Sequence, residues 1–246
     1  MNKKSKARRQ PRRRPAARKV PEKPSRSRLR LIIAAAAAVV LAISSIVIYQ
    51  LNRPQPVAAA PSAAPADGQL GRTVQENSRR LNDVPNAKAT FVEFLDFECE
   101  ACGSVYPAIE QIRETYGDRV AFVIRYFPLE GHFNSQRAAR AVEAAAQQGK
   151  LIEMYKLMFE TQREWGEQQV PMDALFRQYA QRLGLDLAKW DAAYSAQSTL
   201  DRIQQDIDDG KALGVQGTPA FFLNGKLIKP QTTAELTGAL DQALAA

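Results

Sequence analysis

Soft metal donors are scarce in this chain: 246 residues contain two cysteines and one histidine, His132. A structural zinc site takes four such ligands, so only two copies sharing one ion could build one from this set. A purely structural role for a Cys99–Cys102 disulfide is equally poor, because closing so short a loop removes little entropy from the unfolded chain. Dispersed positive charge is missing too. Residues 1–30 hold fourteen Lys or Arg against one Glu, and taking that +13 from the formal +8 leaves −5 on the remaining 216 residues. The basic character is a tail that abuts an apolar span, which excludes a nucleic-acid-binding face.

The apolar span runs from Leu31 to Tyr49, nineteen residues without a charge and with only Ser44 and Ser45 as polar interruptions. At helical rise it reaches roughly 28 Å, about the hydrocarbon thickness of a bilayer. Tyr49 suits the headgroup region, and the basic flank before the span places residues 1–30 in the cytoplasm and residues 52–246 outside. A retained transmembrane helix over 31–51, and hence lipid-bilayer contact, is the expectation. A cleaved signal peptide is the alternative, with small-residue sites at Val57–Ala60 and Ala63–Ala66, but the apolar run is long for an h-region. Either way the two thiols face an oxidising compartment. Residues 52–72 are rich in Ala, Pro, Gly, Ser and Gln, have prolines at 54, 56, 61 and 65, and contain no large apolar residue before Leu70; they read as a semi-extended linker. Residues 73–83 read as a short helix or an edge segment.

From Lys88 onward the patterning is strong. Thr90–Phe97 is a near-continuous apolar run, the mark of a strand buried on both faces. Cys99-Glu100-Ala101-Cys102 follows at once, then a helical face of Val105, Ile109, Ile112 and Tyr116, stopped at Gly117-Asp118. Val120–Phe127 is a second buried strand, so the unit is βαβ with a parallel strand pair. Residues 133–213 read as helical: Asn134-Ser135 caps a helix ending at Gly149, Lys150–Trp165 forms another, Pro171 opens a third ending near Gly184, and Asp186 caps a fourth. The stripe Leu151, Met154, Tyr155, Met158, Phe159 reads as packed core; Trp165 and Trp190 read as core or groove. Ala220–Leu223 and Lys226–Ile228 flank Asn224-Gly225, a type I′ hairpin signal. Thr232 to Glu235 is a capping box before a last helix.

Two thiols at i and i+3 on the first turn of a helix can close a disulfide and reopen it. The free N–H groups and dipole of a helix N-terminus favour a thiolate, the species that attacks a disulfide. Glu93 is the one charge within Phe91–Leu95, so burial should raise its pKa and let it exchange a proton with Cys102. Asp96 is expected near the strand exit and solvated. Glu98 and Glu100 beside Cys99 disfavour its thiolate and oppose the dipole. His132 is expected to be a satisfied structural histidine.

The order Phe97-x-Cys99-x-x-Cys102 after a buried strand, a helical insertion, then Gly217-Thr218-Pro219 before a hairpin resembles the DsbA family of the thioredoxin superfamily, over residues 84–246. The resemblance implies an α/β, thioredoxin-like fold with an inserted helical domain at about 133–213, preceded here by a single N-terminal transmembrane helix. It implies a membrane-anchored protein thiol-disulfide oxidoreductase in which Cys99 is the nucleophile, Cys102 the buried resolving thiol and Glu93 the buried acid beneath them. Pro219 matches the family's cis-proline, and Thr218 would offer backbone groups to substrate. DsbA itself often carries Pro-His between the cysteines; Glu100-Ala101 here implies a weaker oxidant, with Glu98, Glu100 and Ala101 as the tuning residues. The implied cofactor set is empty apart from the redox-active disulfide. The implied partners are cysteine-containing secreted or envelope proteins and a membrane, quinone-linked reoxidase of the DsbB or vitamin-K-epoxide-reductase type. A reductase or isomerase kept reduced by a membrane donor, and a non-catalytic peptide-binding holdase, are the alternatives.

Overall fold

Strand β1 (Arg79–Arg80) pairs antiparallel with β3 (Val120–Tyr126) and makes one edge of a five-stranded sheet. The computed structural model describes residues 72–246; the basic tail, the apolar span 31–51 and the linker up to residue 71 lie outside the described residues. Among the described residues no helix is long and apolar enough to cross a membrane. The segment 73–83, read as helix or edge, contributes that edge strand and buries Thr73, Ser78 and Leu81.

The centre of the sheet is β2 (Ala89–Leu95), parallel to β3 and antiparallel to β4 (Ala220–Leu223), which pairs with β5 (Lys226–Ile228) at the other edge. Six of the seven β2 residues are buried because both sheet faces are covered. Its side chains alternate between two cores. Phe91 and Leu95 join Phe122, Ile124, Phe221 and Leu223 on the face of helices α1 (Glu100–Tyr116), α2 (Ser135–Ala146) and α8 (Thr233–Ala245). Val92 and Phe94 join Val123, Phe127 and Phe222 on the other face, under α7 (Gln197–Ala212). Helix α7 lies so close that a Cβ at Gly210 would come within 2.8 Å of the Phe127 ring and 3.0 Å of Phe94.

Between β3 and β4 the helical insertion holds α2, α3 (Leu151–Glu160), α4 (Gln162–Trp165), α5 (Asp173–Arg182), α6 (Leu187–Ser195) and α7. Met154, Tyr155, Met158 and Phe159 are buried, as are Trp165 and Trp190, so the stripe and both tryptophans are core. The helix expected over Lys150–Trp165 is two helices. It breaks at Thr161, whose Oγ1 donates to the Leu157 carbonyl at 2.6 Å, and this local bond competes with a continuous ladder. Helix α2 ends at Ala146, short of Gly149, and Asn134 does not cap it with its side chain. That side chain instead donates to the Gln168 and Val170 carbonyls and accepts from Met172 N–H, pinning loop 166–172. Asp186 does cap α6 through Lys189 N–H. The hairpin holds Asn224 at φ 51° and Gly225 at φ 80°, as a type I′ turn requires. Thr232 accepts from Glu235 N–H, while the returning Glu235 carboxylate takes Gln231 N–H, one residue earlier than the capping box places it.

Candidate active site

Cys99 is the N-cap of α1, placed there by the exit of β2, and Cys102 lies in the first helical turn. Pairing of Phe94 with Ala220 brings the start of β4 alongside the carboxyl end of β2. The residues just before β4, Thr218 and Pro219, therefore meet the cysteines. The Thr218–Pro219 peptide is cis, and Cys99 Sγ lies 3.4 Å from the Thr218 carbonyl oxygen, to which its thiol donates. Both cysteines are buried and unlinked in this state.

The two thiols are driven apart in acidity. Cys99 is lowered to about 6, first because the Cys102 thiol donates to it; burial opposes this, and the Thr218 side chain and the N–H groups of Cys102 and Ala101 reinforce it. Cys102, fully buried, is pushed well above its ordinary value by burial, with Cys99 and Glu93 adding to the rise. Glu93 is 3 % exposed. Burial raises its carboxyl to about 8, helped by Cys99 and Glu110, so it holds a proton at neutral pH. Titrating the thiolate absorbance of the reduced protein should give a Cys99 midpoint near pH 6. A midpoint at the unperturbed cysteine value of about 8.5 would contradict this arrangement.

Asp96 is not solvated: its residue is 1 % exposed. Its Oδ1 accepts from Glu98 N–H, and its Oδ2 from Leu129 N–H at 3.0 Å and sits 2.6 Å from His132 Nδ1. The loop after β3 folds over the strand exit and supplies Leu129 and His132, which with the local Glu98 N–H offset the cost of burying the carboxylate. His132 has its structural partner in Asp96; burial lowers its pKa, but the Asp96 bond and charge outweigh that and raise it. Glu98 is buried too. Its Oε2 takes Asn134 N–H at 2.6 Å and its Oε1 takes Glu167 N–H at 3.2 Å, so its carboxylate is turned toward the helical insertion. Glu100 and Ala101 are exposed.

One residue of the turn's surroundings carries no signal in the sequence. Gln162, the first residue of α4, donates from Nε2 to the carbonyls of Phe97 and Cys99, both at 2.8 Å. Metal-donor atoms converge at one place among the described residues: Glu100, His132 and Glu167 bring one each to within 4.8 Å of one another. Two of these three are exposed carboxylates, a different donor class from the four soft ligands of a closed zinc site. Beside Pro219 a hollow of about 390 Å³ is lined by Val105, Gly217, Pro219, Phe221, Leu227 and Pro230.

A family model described as thioredoxin matches residues 84–242. The fold is that of DsbA-like solved structures. A thioredoxin-like oxidoreductase from Silicibacter pomeroyi is 25 % identical with a TM-score of 0.61, covering 74 % of this chain and 99 % of that one. The alpha-DsbA1 of Wolbachia pipientis is 19 % identical with a TM-score of 0.62 over 70 % and 93 % of the two chains. Oxidised BdbD from Bacillus subtilis is 22 % identical with a TM-score of 0.60 over 69 % and 94 %. Curated relatives carry a different name. The Na(+)/H(+) antiporter NhaA 1 of Mycobacterium sp. (strain KMS) is 37 % identical over 178 residues, which is 70 % of this chain and 28 % of the antiporter. NhaA 3 of Salinispora tropica is 40 % identical over 141 residues, 57 % of this chain and 21 % of that protein. The chain thus spans between about a fifth and little more than a quarter of the length of the curated relatives it matches.

Proposed function

The chain belongs to the thioredoxin family, and on that premise we propose that it is a protein thiol-disulfide oxidoreductase working through a Cys99–Cys102 dithiol/disulfide couple. The observation that carries this reading is the geometry of the pair: Cys99 Sγ lies 3.4 Å from the Thr218 carbonyl beside the cis Pro219, while Cys102 and the acid Glu93 are buried. The lowered pKa of Cys99 and the raised ones of Cys102 and Glu93 agree with it. Antiport is not part of the reading, because the match covers 28 % of the antiporter.

In the oxidising direction a substrate thiolate attacks Cys99 Sγ of the disulfide. The S–S bond breaks and Cys102 leaves as a thiolate, which takes the proton held by Glu93. A second substrate thiolate then attacks the substrate sulfur of the mixed disulfide and expels Cys99 as a thiolate. Two electrons pass from the substrate dithiol to the Cys99–Cys102 pair. The Thr218 backbone and the adjoining hollow give an extended peptide a place to lie. The substrates in this proposal are cysteine-containing secreted or envelope proteins. Reoxidation falls to a membrane, quinone-linked partner of the DsbB or vitamin-K-epoxide-reductase type, with no prosthetic group in this chain. The apolar span 31–51 would anchor the domain outside the cytoplasm and raise its effective concentration near both partners. Glu98, Glu100 and Ala101 would tune the couple to be less oxidising than DsbA.

A Cys99 midpoint near 6 lies between the acidities that accompany strong oxidants and reductants of this class. Equilibration of the protein with glutathione, read by alkylation and mass spectrometry, should therefore give a reduction potential of roughly −200 mV. A value near −270 mV would favour the reductase reading. Glu93→Gln should slow oxidation of a model dithiol by about a hundredfold at pH 7, since it removes the proton donor to the leaving Cys102. Stopped-flow fluorescence measures this rate, and an unchanged value would remove Glu93 from the mechanism.

A further inference from the structure

Gln162 belongs to the helical insertion, yet its carboxamide ends on the backbone of the cysteine turn. Its Nε2 makes two bonds of 2.8 Å, to the carbonyls of Phe97 and Cys99. The Cys99 carbonyl also accepts Gly103 N–H at 3.0 Å. The residue is buried, so water competes poorly for these groups. The break at Thr161 starts α4 at Gln162, and the Gly166 N–H returns to the Gln162 carbonyl at 2.7 Å, fixing the backbone from which the side chain reaches.

Gly103, directly after Cys102, is the second half of the arrangement. A Cβ built at Gly103 would lie 2.0 Å from Gln162 Oε1 and 2.7 Å from its Cδ. No side chain fits there while the carboxamide is in place. Gly103 lies within α1, where alanine is intrinsically the better helix former. Space for the carboxamide, and not helix propensity, is the physical reason for glycine at this position.

We propose that Gln162 is a positioning residue for the Cys99 thiol: its carboxamide clamps the turn that carries Cys99 and stabilises the thiolate, and Gly103 leaves the room for it. Two N–H dipoles aimed at the Phe97 and Cys99 carbonyls offset the negative ends of those groups beside the sulfur. They also hold the turn so that the Ala101 and Cys102 N–H groups stay directed at Cys99. The clamp ties the redox centre to the helical insertion, so that the insertion sets the potential as well as shaping the substrate face. This inference rests on the thiol-exchange reading for its consequence, but not for its primary measurement.

The test compares the full chain with Gln162→Ala, Gln162→Glu, Gly103→Ala and the Gln162→Ala/Gly103→Ala double variant, each first checked for an unchanged circular dichroism spectrum. The Cys99 thiolate titration and the equilibrium constant with glutathione are then measured. Each single variant should move the Cys99 midpoint upward by about one pH unit. Each should also shift the glutathione equilibrium about tenfold toward the disulfide, making a weaker oxidant. The Gly103→Ala effect should not add to Gln162→Ala, because both break one contact. Folded single variants with an unchanged midpoint, or fully additive effects, would overturn the clamp while leaving the thiol-exchange reading intact. A wild-type protein that fails to equilibrate with glutathione would end that reading, and the thiolate titration would still decide the clamp.

Discussion

Replacing Cys99 by serine should lower the rate of thiol–disulfide exchange by at least about a thousandfold, because the sulfur that forms the mixed disulfide in the first half-reaction and leaves as a thiolate in the second is gone. The fold should survive, since the change swaps one small side chain for another at the N-cap, a position where serine is favoured. Cys102→Ser should behave differently. Cys99 can still attack a disulfide, but no second thiol resolves the adduct, so mixed disulfides through Cys99 accumulate and appear in non-reducing gels and intact-mass spectra. The serine hydroxyl can still donate to the Cys99 sulfur, the largest influence on its acidity, so much of its thiolate character should persist. The pair of results separates enzymes from holdases. A Cys99→Ser protein that fully supports cellular function would establish the peptide-binding alternative. Multiple turnovers by Cys102→Ser at the wild-type rate would show that the two sulfurs do not act as a couple.

The second large effect lies away from the thiols. Arg125, on β3 and fully buried, pairs with the equally buried Asp206 and with Asp209 of α7, and donates to the carbonyls of Arg72 and Thr73. Asp206 also accepts Tyr126 N–H at 3.0 Å and pairs with Arg202 at 2.6 Å. Burial pushes the Asp206 carboxyl up despite both guanidiniums, so its charge depends on them. Arg125→Met fills much of the space but leaves Asp206 and the two carbonyls without their central donor. The expected loss is about 3–5 kcal/mol of stability, the cost of breaking a buried pair from one side. For a domain of this size that corresponds to a fall of about 10 °C in the melting temperature, measured by circular dichroism in the reduced protein. A fall of less than about 2 °C would mean that the network contributes little. The double variant Arg125→Met/Asp206→Leu should recover part of the loss, because it removes the orphaned charge along with its partner.

Glu93 shows how far local patterning reaches into the site. A single acid inside an apolar run has no exposed face to turn to when both sides of the strand are covered, so burial and a raised pKa follow from the run itself. The same holds for the βαβ unit, whose strand and helix periods change abruptly at Cys99, and for the hairpin, whose Asn224 and Gly225 tolerate positive φ. Asp96 was illegible for the opposite reason. A carboxylate at a strand exit looks solvated until a loop more than thirty residues later folds over it and brings Leu129 N–H and His132. Asn134 carries the signature of a helix cap, and its side chain is taken by carbonyls of loop 166–172 that no local pattern announces. The break at Thr161 is hidden because Trp165, seven residues after Met158, falls on the face of the apolar stripe as if one helix continued. Gln162 follows from that break, and Gly103 hints at it only as a glycine where a helix would take alanine.

By itself, then, the sequence determines the elements that short-range periodicity and backbone preference control: the central strands, the cysteine pair on a first helical turn, the hairpin and the amphipathic insertion. Tertiary structure alone decides which polar groups beside the cysteines are buried and what they bond to. Hydrogen bonds from Leu129, Asn134, Gln162 and Glu167 to the turn between β2 and α1 span 30 to 70 residues of chain. Their formation depends on how the helical insertion packs back over the strand ends, and that packing comes from the summed burial of many side chains, which no local window contains.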